Sequence, residues 1–376
     1  MSEPSIVQAV RARLGGLEAQ LPAVTASAEE AALATANPAW KVRFPSSAQP
    51  AFSDEFIARA GGLANWGNDK PGELPSPDAI LYAARSWEED AAQAKSVLPT
   101  YREHGWQAVL IGSRAGLPAK LPHDAFLDNG AETGGAAESP VNFIANIILG
   151  WLWAVEFVAA LTRRGARPHV LQSVFVPGAA EFNKSLTPKD ALLPCETAIP
   201  AGDLARAYLR RIAWLLDDVA RPEVQDPIAD AARRIRGHLR KRGRVLTACL
   251  AHAVPGEMDH AVKSPFVNLG VPREADLPEK ARPGDLVLFL GYVGVDNAWY
   301  AHGAWLRAAG VPVITSHIAD PLNPDNRLPE ALVHIPQSWA FGDAEVEIPF
   351  PPDRMAPMSV VNQLLIFRMI DEAVNR

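Results

Sequence analysis

Arg282-Pro283-Gly284-Asp285-Leu286-Val287-Leu288-Phe289-Leu290-Gly291, a helical stretch, Gly310 and Val311-Pro312-Val313-Ile314-Thr315-Ser316 decide the fold, because the chain carries the same pattern once before. The earlier version is Ser76-Pro77-Asp78-Ala79-Ile80-Leu81-Tyr82-Ala83-Ala84, a helical stretch, Gly105 and Ala108-Val109-Leu110-Ile111-Gly112-Ser113. Each version is a turn, a short apolar run, a helix, a glycine stop and a second apolar run. The match continues outward. Leu121-Pro122-His123-Asp124-Ala125-Phe126-Leu127 answers Leu328-Pro329-Glu330-Ala331-Leu332-Val333-His334, and Val141-Asn142 opens one long apolar helix as Val361-Asn362 opens another. Solenoid repeats run at roughly 20–50 residues, so a unit this long is a whole domain. Strands that alternate with helices predict right-handed βαβ units and a mainly parallel sheet in each copy.

A length of 376 residues agrees with two domains. The turn-rich stretch before Asp203 separates them, giving a first domain over 1–190, a linker over 191–202 and a second domain over 203–376. Cys195 and Cys249 are too few for a disulfide framework or a thiolate metal site, so a reducing, cytoplasmic setting is expected. A net charge of −7 does not suit a chain whose main partner is a nucleic-acid backbone. Against it stands the basic run Arg233 to Arg244, which reads as a solvated helix face with cations at its carboxyl end, or as a local anion or partner contact. No basic stretch leads into an apolar core at the N-terminus, so no export signal is expected. Val141 to Leu161 has the length of a membrane span, yet it contains Asn142, Asn146 and Glu156, which are costly at membrane depth. A helix buried between two domains is expected instead, with no membrane partner.

Apolar spacing at Ile6, Val10, Leu14 and Leu17 predicts a first amphipathic helix, followed by a helical piece over 28–35. Strands are expected over 40–44, 79–83, 109–112, 125–127 and 169–176 in the first copy. The second copy is expected to have them over 245–250, 286–290, 313–315 and 332–335. Its helices are placed over 203–219 and 230–242, and a last one follows Met358. The 33 prolines fall mostly between these elements.

Several of these stretches resemble the sugar isomerase (SIS) phosphosugar-binding domain. They are the Arg-Pro-Gly-Asp before an apolar strand, the Gly291-Tyr292-Val293-Gly294-Val295-Asp296-Asn297 loop after it, and Phe341-Gly342-Asp343-Ala344-Glu345-Val346-Glu347-Ile348-Pro349. Met355 to Asn362 resembles the segment opening that domain's last helix. Ser53 to Leu63 resembles the helix after its first strand, and Asp128 to Glu132 the region before its final helix. The resemblance implies two tandem doubly wound, flavodoxin-like αβα domains of SIS type.

Members of that family hold a sugar phosphate with hydroxyls and backbone amides from the loops after the first and second strands. Such loops aim amide donors at an anion. By position this implies Ser46, Ser47 and Gln49 after the first strand of copy one, and Arg85 and Ser86 after the second. In copy two the matching loops offer His252, and then Tyr292, Asp296 and Asn297. The hydroxyls of the family's second-strand loop are missing from copy two, and its glycines from copy one. Phosphate therefore binds in one copy only, or the ligand is an unphosphorylated sugar or polyol. Aldose–ketose isomerisation needs a group that moves a proton between neighbouring carbons, a task for a carboxylate or imidazole with a tuned pKa. Candidates are Glu132 and Glu138 in copy one, and Asp343, Glu345, Glu347, His252, His260, His302 and His317 in copy two, led by Glu132, Glu345 and His252. His317 is placed with His252 at a strand end, as a ligand contact. Glu345 and Glu347 alternate and equally suit the solvent face of an edge strand; Glu132 equally suits a cap. The histidines lack zinc-ligand spacing, and neither a metal nor a cofactor is expected.

The expected function is binding of a small-molecule sugar or sugar phosphate at the cleft between the domains, with aldose–ketose isomerisation or a related rearrangement. The alternative is a non-catalytic carbohydrate-sensing protein. No helix-turn-helix module precedes the first copy, so a DNA-binding regulator is not expected. A monomer and a homodimer paired through the long helices both remain open.

Overall fold

A computed structural model of the chain describes residues 4–34, 42–44, 50–68, 79–133, 139–187, 191–250, 252–259, 265–270, 280–293, 306, 308–323 and 331–376. The first copy comprises α1 (Ser5–Ala19), α2 (Leu21–Ala34), β1 (Val42–Phe44), α3 (Pro50–Phe56), β2 (Gly67–Asn68), β3 (Ala79–Ala83), α4 (Trp87–Glu103), β4 (Gln107–Gly112), β5 (Ala125–Asp128) and α5 (Ser139–Arg163). After them come β6 (Ala166–Arg167), α6 (Ala179–Ser185), β7 (Leu193–Pro194) and α7 (Asp203–Val219). The second copy comprises α8 (Pro222–Arg240), β8 (Val245–Cys249), α9 (Val254–Asp259), β9 (Phe266–Asn268), β10 (Leu286–Val293), β11 (Val313–Ile318) and β12 (Val333–Pro336). A short hairpin, β13 (Val346–Glu347) with β14 (Arg354–Met355), precedes the closing helix α10 (Ser359–Asn375).

The first sheet has the order β2-β1-β3-β4-β5 and the second the order β9-β8-β10-β11-β12. All pairings within both sheets are parallel. Counted within its own copy, each sheet is therefore 2-1-3-4-5, the flavodoxin order. The shared topology explains why the two stretches quoted above match. β3 and β10 are each third in their copy and central in their sheet, where every residue is buried. A strand covered on both faces has no polar alternation, so Ala79–Ala83 and Leu286–Val293 read as continuous apolar runs.

Two compact units emerge, and neither is a continuous run of chain. One joins Gln8–Ala213 with Gly342–Met358 and contains the first sheet; the other joins Met1–Val7, Trp214–Phe341 and Ser359–Arg376 and contains the second. Repeat copies and compact units are different quantities. The short stretch Gly342–Met358 belongs to the second copy in sequence but packs into the first unit.

The apolar helix α5 lies inside the first unit, packed against α2, and every residue from Asn142 to Thr162 is buried. It is the one described helix long and apolar enough to cross a membrane, and the whole of its apolar window is covered by protein. Glu156, which interrupts its apolar surface, accepts from the amides of Gly202 (2.8 Å) and Ala205 (3.2 Å) at the start of α7. The buried carboxylate thus satisfies otherwise orphaned donors of a helix N-terminus.

Three expected elements differ from observation, the first being the helical piece placed over 28–35, which starts at Leu21. The stretch 169–176 forms no strand: Val170 makes a single antiparallel bridge to Leu63, and Val174 is 70% exposed. The Asn183 side chain takes both backbone groups of Gln172, so no ladder propagates. The helix expected over 230–242 begins earlier, at Pro222, because proline suits the first helical position and Pro227 falls in a turn still close to that end.

Candidate functional site

At the carboxyl ends of the first sheet the expected ligand residues are occupied by the chain itself. Ser86 caps α4, its Oγ accepting from the Glu89 amide at 3.3 Å. The amides of Arg85 and Ser86, which point where an anion would sit, donate to Asp90 Oδ2 at 2.6 and 3.3 Å. Burial pushes the Asp90 carboxyl up to about 6, against the lowering effect of those two amides. The Arg85 guanidinium lies 5.1 Å from the Phe143 ring centre. Asn142 and Asn146, in the first turns of α5, donate to the carbonyls of Arg85 and Ala84, both at 2.9 Å, and Asn129 donates to Asn146 Oδ1. Glu132 is exposed beyond this network. Ser46, Ser47, Gln49 and Glu138 lie outside the described residues.

A carboxylate held on two amides at a helix start is an internal stand-in for a bound anion. Asp90→Ala is therefore expected to open an anion site. Millimolar phosphate should raise the melting temperature of the variant more than that of the parent protein. Equal shifts for both proteins would remove Asp90 from this role.

The second sheet ends differently. Gly291 O, where the register of β10 against β11 shifts, accepts from Gln337 Nε2 (3.1 Å) and from Gln363 Nε2 of α10 (2.7 Å). Gln337 also donates to Ser316 O (2.9 Å), and Trp339 Nε1 donates to Gln337 Oε1 (2.7 Å). Tyr292 pairs with Ser359, the Ser359 hydroxyl donating to the phenol oxygen at 3.1 Å, and stands edge-on to Trp339. Asn362 Oδ1 accepts from Ser338 N (3.3 Å). Two buried valences stay open: Asn362 Nδ2 and Gln363 Oε1 have no partner among the described residues. Asn362 is the repeat counterpart of Asn142, whose amide is closed on both sides, by Arg85 O and by Arg13 Nη1. The same position is filled in one sheet and unfilled in the other.

His252 is half-buried in the turn between β8 and α9. His317 is within β11 and buried, its Nδ1 2.8 Å from Ile318 O and its ring 4.4 Å from that of His334. Asp296, Asn297, His260 and His302 lie outside the described residues.

Glu345 enters a third cluster, in the first unit. Its side chain is buried, and Oε2 accepts from Arg211 Nε at 2.9 Å and Nη2 at 2.7 Å. Glu347, its alternate, is exposed and paired with Arg354 across the hairpin. Beside Glu345, Arg59 bridges Glu55 (3.3 Å) and Asp343 (2.7 Å), all three inaccessible to solvent. Trp151 Nε1 also donates to Glu55 Oε1. The Tyr208 hydroxyl donates to Pro357 O at 2.9 Å, and burial raises its pKa well above the ordinary phenol value. Burial pushes Glu55 up to about 7, Arg59 opposing the shift. Gly61 lets the segment pass: at φ +73° its amide oxygen accepts from Ala356, and a Cβ there would sit 3.1 Å from Ala356 N and Asp343 O. These carboxylates fasten residues 342–358 into the unit. Sequence reasoning missed Glu55, Asp90 and the open amides of Asn362 and Gln363. Only the repeat alignment of Asn362 with Asn142 offered a signal.

Among the described residues no group of three or more His, Cys, Asp or Glu is arranged to hold a metal. No family model matches the sequence, and a search of curated proteins finds no match. Solved structures do match. A protein from Salmonella typhimurium, provisionally described as sugar-binding, has a TM-score of 0.55 at 10% identity over 98% of this chain and 99% of its own. The C-terminal domain of glucosamine-fructose-6-phosphate aminotransferase from Francisella tularensis has 0.51 at 8% identity over 98% and 93%. This is the two-domain SIS fold. A protein from Clostridium difficile provisionally described as a phosphosugar isomerase shares the SIS fold as well, with a TM-score of 0.51 at 9% identity over 97% and 92%.

Proposed function

We propose that this protein binds a sugar or sugar phosphate at the carboxyl edge of its second sheet and does not catalyse its isomerisation. We read the two sheets as descendants of one duplicated unit, spanning 1–190 and 203–376, of which the second has kept unpartnered polar atoms for a ligand to meet. The carrying observation is the pair of open valences at the start of α10, Asn362 Nδ2 and Gln363 Oε1. A buried polar atom without a partner costs about 1–3 kcal/mol, so a ligand that supplies the missing partners is favoured. Between them these atoms need one acceptor and one donor. Every sugar hydroxyl is both, whereas an ionised phosphate only accepts. The ligand's hydroxyls, rather than its phosphate, are matched here, with Tyr292 and Trp339 as the apolar wall for a ring. Structures of the same fold named for sugar binding and for a phosphosugar isomerase support this ligand class.

Loss of catalysis is favoured by the fate of the proton movers. Glu345 is committed to Arg211, and Glu132 is exposed on the first unit, away from the second sheet's site. The second reading, isomerisation, is favoured by His252, half-buried at the end of β8. A thermal-shift screen against sugars, polyols and their phosphates separates the outcomes, since a ligand raises the melting temperature by mass action. At least one sugar is expected to shift it, and Asn362→Ala should weaken that sugar about tenfold. The binding reading is lost when no sugar shifts the parent protein. Turnover of a sugar phosphate that vanishes in His252→Ala would replace it with the isomerase reading.

A further inference from the structure

The basic run of α8 is absorbed neither by the sugar site nor by the ion cluster of the first unit. Arg233, Arg236 and Arg240 recur at helical spacing, so their guanidinium groups share one stripe. That stripe lines a cavity of about 610 Å³ between the carboxyl ends of α8 and α10, with Arg376 as a fourth cation and Leu239 and Val374 as apolar wall. No carboxylate side chain lines it. This is a concentration of positive charge in a chain of net charge −7.

The pairing inside the cavity is incomplete. Arg233 reaches Asp230 at 3.1 Å, and Arg376 approaches Glu372 only to 3.7 Å. Arg236 donates one N–H to Ala373 O at 2.6 Å, which anchors the guanidinium against the last turn of α10. Arg240 is exposed and has no acidic partner among the described residues. Cations in a last helical turn complement the helix dipole, and this accounts for Arg240. It does not account for Arg233, two turns upstream, or for four cations around one hollow, which repel one another unless an anion enters.

We infer that the cavity between the carboxyl ends of α8 and α10 is a binding site for a small molecule bearing two or more phosphate groups. A guanidinium presents a planar fork of donors matched to phosphate oxygens, and several forks around one cavity suit a chain of phosphates better than a single one. The volume falls within the range of small-molecule sites, and Leu239 and Val374 offer a surface for the uncharged part of the ligand. None of the lining residues belongs to the sugar site proposed at Asn362 and Gln363.

Calorimetric titration of the full chain with inorganic pyrophosphate, orthophosphate and sulfate at matched ionic strength tests the assignment. Pyrophosphate is expected to bind more tightly than the other two, and more weakly as salt is raised. Arg240→Ala should weaken it by about tenfold or more, the effect of one lost charge-assisted contact, while Arg240→Lys falls between. Asn362→Ala should leave pyrophosphate binding unchanged. Arg240 is exposed, so an unaltered melting temperature of Arg240→Ala verifies its fold. The inference is overturned by any of four results: no pyrophosphate binding, binding no tighter than sulfate, equal affinity in Arg240→Ala, or a single-stranded RNA that outcompetes pyrophosphate at this site.

Discussion

Arg59→Met destabilises the first unit by about 3–5 kcal/mol at pH 8, the cost of leaving buried carboxylates without their cation. Arg59 is the shared partner of Glu55 and Asp343, and none of the three side chains reaches solvent. The loss depends on pH in a defined direction. Burial raises the folded Glu55 from its ordinary 4.5 to about 7. Between those values the unfolded chain has released a proton that the folded chain retains. Its contribution to stability is complete below about 4.5 and is lost as pH rises through 7. Arg59→Met should therefore cost less at pH 5, where Glu55 is neutral, than at pH 8. Glu55→Gln should flatten the parent's decline in stability between pH 5 and 7. Urea unfolding at several pH values, followed by tryptophan fluorescence, reads both effects. A loss in Arg59→Met that is the same at pH 5 and pH 8 would rule out Glu55 as the titrating group.

Glu156→Leu is expected to cost about 3 kcal/mol, because it orphans two buried amides and removes a negative charge from the start of a helix. Both oxygens of Glu156 are used, Oε2 by Gly202 and Oε1 by Ala205, with Thr25 Oγ1 at 3.4 Å. Leucine fills the space and suits the apolar surface of α5, so the loss measures the cap and not a cavity. Glu156→Gln keeps one acceptor and should recover about half of the stability. Hydrogen exchange at residues 202–205 should speed up in the leucine variant. Unchanged exchange there, with unchanged stability, would mean that the carboxylate does not hold α7.

The sheets were legible because their strands are covered on both faces. Burial on each side forces continuous apolar runs, and the glycines and prolines between them mark the turns. The same logic misled at 169–176, where Val170, Val174 and Val176 invite a strand but no neighbouring strand among the described residues extends the bridge at Leu63. The site was less legible. Glu55 and Arg59 stand four apart and read as an ordinary surface pair on a helix, since nothing local announces that residues 342–358 will cover them. Alternation suits a shared solvent face for Glu345 and Glu347, which Glu347 occupies, but Glu345 is buried against Arg211, far away in sequence. Asp90 looked like one more acid in a first helical turn. Its role depends on where the Arg85 and Ser86 amides point, which is a property of the loop's backbone. Asn362 and Gln363 are ordinary helix residues until their unmatched atoms are located.

The passage of residues 342–358 into the first unit governs how the protein is born. A ribosome releases Glu55 and Arg59 first, yet their covering segment, with Asp343 and the Pro357 carbonyl that receives Tyr208, emerges only after every strand of the second sheet. The first sheet's unit thus stays open while the second sheet is made, and the nascent chain must carry an unsealed ionic interior throughout that interval.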